Sequence, residues 1–448
     1  MASTKLTRTQ TAGTNRKKFT LSMWVKRTVP KGVSSVMTGL WCTEGGWYDG
    51  TGMACVFRDD DGSNIMTIYN PSEGGTGGNY NSTTQAFRDI NGWYHFVFAG
   101  DTTQSTQADR LKIYVNGEQI SYATNNLPAQ DVFWNDLNSN NKTFTIGAGS
   151  GSGYYYHDGI ISHVHMSDGY CYDADTFGEE DSTTGEWTIK TSPSFTLGNN
   201  GFTILKDGNT ITDQSSNSNN FTLSGTLTKT EDCPANVFAT FNTSAQTLSG
   251  ITYSNGNNVA SMTGDVGQRQ SISTLGMPSG KFYAEFKLQE IGSTGGSYPY
   301  VGIVAQEKYD ADMYIGGNGT GWHPTGDIYN GGSNSGSGST YTTGDIIGVA
   351  VDIDNSKLYW HKNGTYIMSG NPTTGSNGYN ISSRTAEGVL GFGVSHWNDN
   401  GIWHANFGNG YFGTTAVSSA GTNASGIGIF EYDVPAGFTA LSTKGLNE

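Results

Sequence analysis

The chain has 448 residues, too many for one sandwich and enough for two or three domains. Its formal net charge is −15, with 24 Lys and Arg against 39 Asp and Glu, which argues against nucleic acid as a partner for the body of the molecule. Charged residues make up only 14%, aromatics 12%, and glycine numbers 64, which excludes a disordered chain and suits many short strands joined by glycine-rich turns.

The first 31 residues carry Lys5, Arg8, Arg16, Lys17, Lys18, Lys26, Arg27 and Lys31 and no acid. This reads as a solvated strand edge kept soluble by charge, or as a dock for an acidic neighbour with Arg16, Lys17 and Lys18 as the docking residues. "FTLSMWVK" then alternates, placing Phe19, Leu21, Met23 and Val25 on one strand face. "WYHFVFAG", "RLKIYVNG", "KTFTIGAG" and "GIISHVHMSDG" predict further strands, and "DADTFGEED" one short turn. A boundary is expected at "CPANVFATFN", giving domains 1–242 and 243–448. "GKFYAEFKL", "YVGIVAQ", "DIIGVAVDID", "KLYWHKNG", "GVLGFGVS" and "GIWHANFGNG" are strands of the second domain, with "GGSNSGSGST" (331–340) a flexible loop among them. No helical period runs longer than a turn or two. The expected fold is all-β, two antiparallel jelly-roll-type sandwiches in tandem.

One pattern occurs twice, at residues 92–120 and 344–364: an apolar strand, a polar turn, a second strand, then Asn-Gly. Asn and Gly tolerate the positive φ that tight hairpin turns demand, so each pair, Asn116-Gly117 and Asn363-Gly364, predicts a hairpin.

Cys42, Cys55, Cys171 and Cys233 follow no zinc or disulfide spacing. No signal peptide or membrane-spanning run is evident, so synthesis in a cytoplasm without membrane insertion is expected.

A glycosidase would need two carboxylates aimed at one bond. Glu179, Glu180, Asp181 and Glu186 lie in a turn-rich stretch, Glu285 and Glu290 on opposite strand faces, and Asp352 and Asp354 at a strand end, so none makes a dyad. His163 and His165 share a strand face, the geometry of two metal ligands, but no third ligand is evident nearby. Asp158 and Asp168, each before a glycine, are weak calcium candidates, set against a turn-capping role; otherwise no cofactor is expected. Carbohydrate binding needs only aromatic faces and hydrogen-bonding groups. The candidates are Trp41, Trp47, Tyr48 and Tyr155 in the first domain, and Tyr298, Tyr300, Trp322, His323, Trp397 and Asn398 in the second, with a structural role as the competing reading for each.

"FTLSMWVKR", "GWYHFVFAGD", "LKIYVNGEQI" and "YYYHDGIISHVHMSDG", in that order, resemble laminin-G-like, concanavalin A-type domains. Calcium on a loop rim is what that resemblance implies. "SGKFYAEFKL", "YVGIVA", "GDIIGVAVDIDNSKLYWHKNG" and "GIWHANFG" resemble SPRY domains, whose ligand surface lies on loops at one end. The stretch from "DADTFGEED" to "DCPANVFATFN" and the ending "VPAGFTALSTKGLNE" are similar to virion and tail proteins of marine tailed phages. The resemblance implies a virion protein without enzymatic activity, a tail fibre, spike or receptor-binding component. Its partners would be other virion proteins and a host-surface glycan or protein, and a homotrimer stays open. The alternatives are a capsid-decorating fibre or knob and a jelly-roll polysaccharide depolymerase.

Overall fold

A computed structural model describes residues 3–28, 37–46, 52–70, 79–124, 126–150, 155–206, 208, 210–244, 250–262, 267–292, 299–397 and 400–447. The chain divides into two compact units, Met1–Lys229 and Thr230–Glu448. The expected boundary at 242 is therefore displaced. Phe238 and Phe241 sit in the cores of the second unit, and Ala239 N–H donates to the Leu441 carbonyl at 2.9 Å. "CPANVFATFN" opens the second unit instead of closing the first.

In the first unit, one sheet has seven strands in the spatial order Thr222–Ser224, Lys5–Thr9, Thr143–Ile146, Thr38–Thr43, Ala54–Phe57, Ile65–Tyr69, Tyr80–Ala86. The other has six, in the order Phe202–Ile204, Gly159–Asp168, Lys18–Arg27, Tyr94–Asp101, Leu111–Val115, Glu118–Gln119. Phe19, Leu21, Met23 and Val25 all enter the core between them, as their alternation requires. Their neighbours Thr20, Ser22, Trp24 and Lys26 are buried as well, at 4% exposure or less. The outer face of this sheet is covered, and Ala174, Phe177, Tyr172, Trp187 and Phe195 form a second apolar layer there with Val97, Ala99 and Tyr114. The short turn read in "DADTFGEED" is a 3-10 helix over Ala174–Thr176.

The basic segment is woven into this unit. Lys5–Thr9 is an interior strand with neighbours on both sides, so the solvated-edge reading fails. Arg8 donates to Asn219 Oδ1 at 2.6 Å, and Lys26 and Arg27 are 1–2% exposed. Lys17 and Lys18 pair with Asp131 (2.9 Å) and Asp101 (3.0 Å), and the Arg16 guanidinium lies 4.9 Å from the Phe133 ring centre. Lys31 falls outside the described residues. The positive charge that looked available for docking is engaged within the unit, because the strands bring acids from distant loops beside it.

In the second unit a nine-stranded sheet follows the path Ile251–Ser254, Val259–Met262, Gly401–Asn406, Lys281–Glu290, Ile346–Asp352, Lys357–Lys362, Thr365–Tyr366. Tyr379–Asn380 pairs beside Lys357–Lys362, and Thr439–Ala440 runs parallel to Lys281–Glu290. The facing sheet is Gln268–Ile272, Leu390–Trp397, Tyr300–Ala305, Thr320–Trp322, Asp327–Asn330, Ser333–Ser337. Its last strand lies inside "GGSNSGSGST", the stretch read as a flexible loop. Main-chain pairing with Asp327–Asn330 overrides a composition that favours no regular structure.

The two Asn-Gly turns take the same form. Asn116 and Gly117 have φ of 48° and 87°, and Asn363 and Gly364 have 48° and 86°. In each, the Asn side-chain oxygen accepts a bond from the first strand of the motif, from His95 N–H at 2.8 Å and from Ile346 N–H at 2.9 Å. The turn thus locks a short third strand onto the pair before it. This serves any twisted antiparallel sheet and explains the repeated pattern without common function.

Candidate functional site

The aromatic residues expected on binding loops go largely to the cores. Trp41 (0% exposed) lies on Thr38–Thr43, edge-on to Phe98 at 5.5 Å. Trp322 (0%) lies on Thr320–Trp322 and packs edge-on against Tyr341 at 4.9 Å. The next residue, His323, points to the opposite face, where its ring meets that of Tyr300 at 4.9 Å. Tyr300 also packs on Tyr314 at 5.0 Å and Tyr329 at 5.7 Å, so this pair is brought together in a closed aromatic cluster rather than on a loop. Trp41, Tyr300 and Trp322 sit on strands, where alternation sends every second side chain inward, and His323 directly follows one. Tyr155 and Trp397 are half-buried, and Trp47, Tyr48, Tyr298 and Asn398 lie outside the described residues.

One grouping in the first unit has the distances of a nucleophile and its base. Ser22 Oγ lies 2.8 Å from His95 Nε2, and the Trp187 indole N–H donates to His95 Nδ1 at 2.9 Å. An indole nitrogen can only donate. His95 Nδ1 is therefore the unprotonated nitrogen, and Nε2 carries the hydrogen and donates it to Ser22. A base must face its nucleophile with a free lone pair, so this pair is held in the wrong tautomer. Burial pushes His95 down to about 3, keeping it neutral, and the Trp24 ring stacks on it at 4.6 Å. The grouping pins the outer layer to the sheet.

The metal candidates behave similarly. A bulge between Ser162 and His165 puts His163 at φ 46° and breaks the expected alternation. His163 Nδ1 is 2.7 Å from Ser162 Oγ, and His165 Nδ1 is 3.0 Å from Thr203 Oγ1. Asp158 and Asp168 stand at opposite ends of the strand Gly159–Asp168, about 30 Å apart at about 3.3 Å per residue, and cannot share an ion. Asp168 Oδ2 accepts from Thr14 N–H at 2.9 Å and Asn200 N–H at 3.0 Å, tying two loops together, while Asp158 Oδ1 accepts from Thr28 at 2.9 Å. Among the described residues no group of three His, Cys, Asp or Glu is placed to hold a metal.

The outer face of the six-stranded sheet also carries an open groove of about 250 Å³. His165 and Thr203 of adjacent strands line it, between the segment holding Ser192 and Phe195 and the loop holding Gln214 and Ser215. Lys206 contributes a cation whose Nζ is 3.5 Å from Ser192 Oγ. Phe195 stands edge-on to His165 at 5.7 Å, and burial pushes His165 down to about 3. Hydroxyls, an amide, one aromatic ring and one cation are what a sugar-binding groove offers. Sequence reading missed it because its lining comes from four stretches of chain spread between His165 and Ser216. Lys206 in "GFTILKDG" and Phe195 in "SPSFTLG" carry no motif of their own.

A further polar group lies on the outer face of the nine-stranded sheet. Asn406, Glu285, Gly348 and His361 stand in register across four strands. The Glu285 carboxylate accepts from Glu431 N–H and Tyr432 N–H at 2.8 Å each, from Tyr283 O–H at 3.0 Å and from Asn406 at 3.3 Å. Gly364 N–H donates to His361 Nδ1 at 3.1 Å, so His361 Nε2–H donates to Tyr283 at 2.7 Å. A side chain at 348 would strike that ring, since a Cβ there would lie 1.9 Å from Nε2. These bonds hold the segment around 430 over the sheet, so Glu285 is a structural clamp.

Burial pushes Glu285 up to about 7 against the pull of its four donors. A carboxyl raised in the folded state stabilises most below its unfolded value near 4.5, and that contribution is lost as pH rises through about 7. Buried histidines such as His95 and His361, pushed down to about 3 and about 4, act with the opposite sign as pH falls through about 6.5. The stability difference between the wild type and Glu285→Gln isolates the carboxyl. In denaturant titrations it should move against the wild type between pH 5 and 7; a flat difference would refute the assignment.

With the geometry in place, the class of the first unit can be stated: it carries a laminin-G, concanavalin A-like domain. Residues 2–175 match the family described as the concanavalin A-like lectin/glucanases superfamily. No curated relative matches the chain. Among solved structures, the chain is similar to the SPRY domain of human HERC1, with 17% identity over 37% of this chain and 96% of that one and a TM-score of 0.30. Another human SPRY domain gives 18% identity, 35% and 94% coverage and 0.27. The heptameric SAP-like pentraxin of Limulus polyphemus gives 14%, 36% and 69% coverage and 0.26.

Proposed function

We propose that this chain is a virion protein of a tailed bacteriophage, a tail fibre, spike or other receptor-binding component that binds carbohydrate or protein on the host surface and does not cleave it. The groove at Lys206 and Phe195 is the observation that carries the binding reading: it offers hydrogen-bonding groups and an aromatic edge at an open surface. The two groupings with catalytic potential point the same way. The Ser22–His95 pair is held in the wrong tautomer, and Glu285 is bonded beneath a main-chain segment. The virion reading rests on the resemblance of the trailer and the C-terminal motif to phage proteins. Other virion proteins are then partners, and the particle is the location.

The test has two readouts. Labelled protein should adsorb to cells of the host and be displaced by their isolated surface polysaccharide, and antibodies against it should mark the tail of purified particles. Incubation with the same polysaccharide should release no reducing ends. Reducing ends that accumulate with time would replace this reading with a depolymerase, and marking confined to the capsid shell would replace the tail assignment with a decorating protein.

A further inference from the structure

The sign of charge in the groove narrows the ligand. Eleven residues line it, none is Asp or Glu, and Lys206 is its cation. The whole chain carries −15. Most lysines of the first unit that face solvent are matched by acids, as Lys17 is by Asp131, Lys18 by Asp101, Lys112 by Asp109 and Lys142 by Asp136. Lys206 instead approaches a hydroxyl, Ser192 Oγ, and has no carboxylate within ion-pair distance among the described residues. An ammonium with no ion pair among the described residues of an acidic protein favours an anionic group. Around it stand donors and acceptors suited to ring hydroxyls, the side chains of Gln214, Ser215 and Ser192, with Phe195 on one wall. The volume, about 250 Å³, lies below the roughly 300–1,000 Å³ of sites that engulf drug-sized ligands. It suits one ring of a longer chain, with the rest running out through the open sides.

We infer that the groove formed by Lys206, Phe195, Ser192 and Gln214 binds one acidic sugar residue, carboxylated or sulfated, of a host-surface polysaccharide. This rests on the binding reading above and adds the site and the ligand class. Lys206 meets the anion, the hydroxyl and amide groups take the ring hydroxyls, and His165 supplies an uncharged floor. The overall negative charge repels polyanions elsewhere on the surface, so selectivity for the acidic sugar is local to the groove.

The experiment uses the full chain and measures binding to alginate oligomers and dextran sulfate, with neutral dextran as the reference. The wild type should bind at least one acidic probe more tightly than dextran. Lys206→Gln should weaken that binding by about 10–100-fold, the loss expected for one charge-assisted hydrogen bond. Lys206→Arg should retain most of it, and Lys17→Gln, remote from the groove, should leave it unchanged. Melting curves of all variants should coincide, since Lys206 is only half-buried. If Lys206→Gln binds the acidic probes as the wild type does, or if dextran is preferred, the groove assignment is overturned while host-surface binding stands. If the wild type binds no probe and does not adsorb to cells, both fall.

Discussion

Asp59→Ala should destabilise the first unit by about 3–5 kcal/mol, because it strands a buried cation. The Arg27 guanidinium and the Asp59 carboxylate meet at 2.5 Å with side-chain exposures of 2% and 1%. Arg27 also donates to the Phe87 carbonyl and lies over the Phe57 ring at 4.2 Å, and Asp59 accepts from Thr38 Oγ1 at 2.7 Å. Removing the carboxylate takes away the anion that meets this buried cation. For a unit of this size each kcal/mol moves the midpoint by about 2–4 °C, so the melting temperature should drop by roughly 6–20 °C. Arg27→Met combined with Asp59→Leu should recover most of the loss, since an apolar replacement of a buried pair is often neutral. A single Asp59→Ala that melts within about a degree of the wild type would show that water reaches the pair.

Trp322→Ala should cost the second unit about 3–5 kcal/mol, the usual range for deleting a buried Trp. The ring is fully buried between the sheets with Val301, Ile328 and Trp360, and Tyr341 O–H donates to the Trp322 carbonyl at 2.8 Å. Read from "GTGWHPTGD", the same residue is a sugar-stacking platform, whose loss would weaken binding and spare stability. The two readings predict opposite results. Differential scanning calorimetry should show the transition of the second unit lowered by several degrees; an unchanged melt with weaker adsorption would restore the binding role.

Trp322 and His323 show how far such reading reaches. The strand Thr320–Trp322 is three residues long and bounded by Gly319 and Pro324, so its composition resembles a loop. Its burial depends on pairing with Tyr300–Ala305 on one side and Asp327–Asn330 on the other. The basic N-terminus failed in the same way. Eight cations in 31 residues form a plain local signal, yet Asp59, Asp101 and Asp131, which answer three of them, lie 32 to 114 residues away. The boundary moved because a buried Phe is assigned by what it packs against, and Phe238 and Phe241 pack against strands that follow them.

Local chemistry alone determined the all-β class, the faces of strands such as Lys18–Arg27, and the two Asn-Gly turns. Side-chain alternation and permitted φ are properties of neighbouring residues. The resemblance of the first half to laminin-G domains was legible too, because it is carried by the order of strands. The tertiary structure decided everything that depends on distant partners. It covered the outer face of the six-stranded sheet, fixed the His95 tautomer through Trp187 from 92 residues away, and closed Glu285 beneath main chain 146 residues further on. It also assembled the groove at Lys206 from four stretches of chain, none distinctive by itself. A binding site of this kind is a property of surface shape and of which charges remain unmatched, and both exist only once the chain has folded.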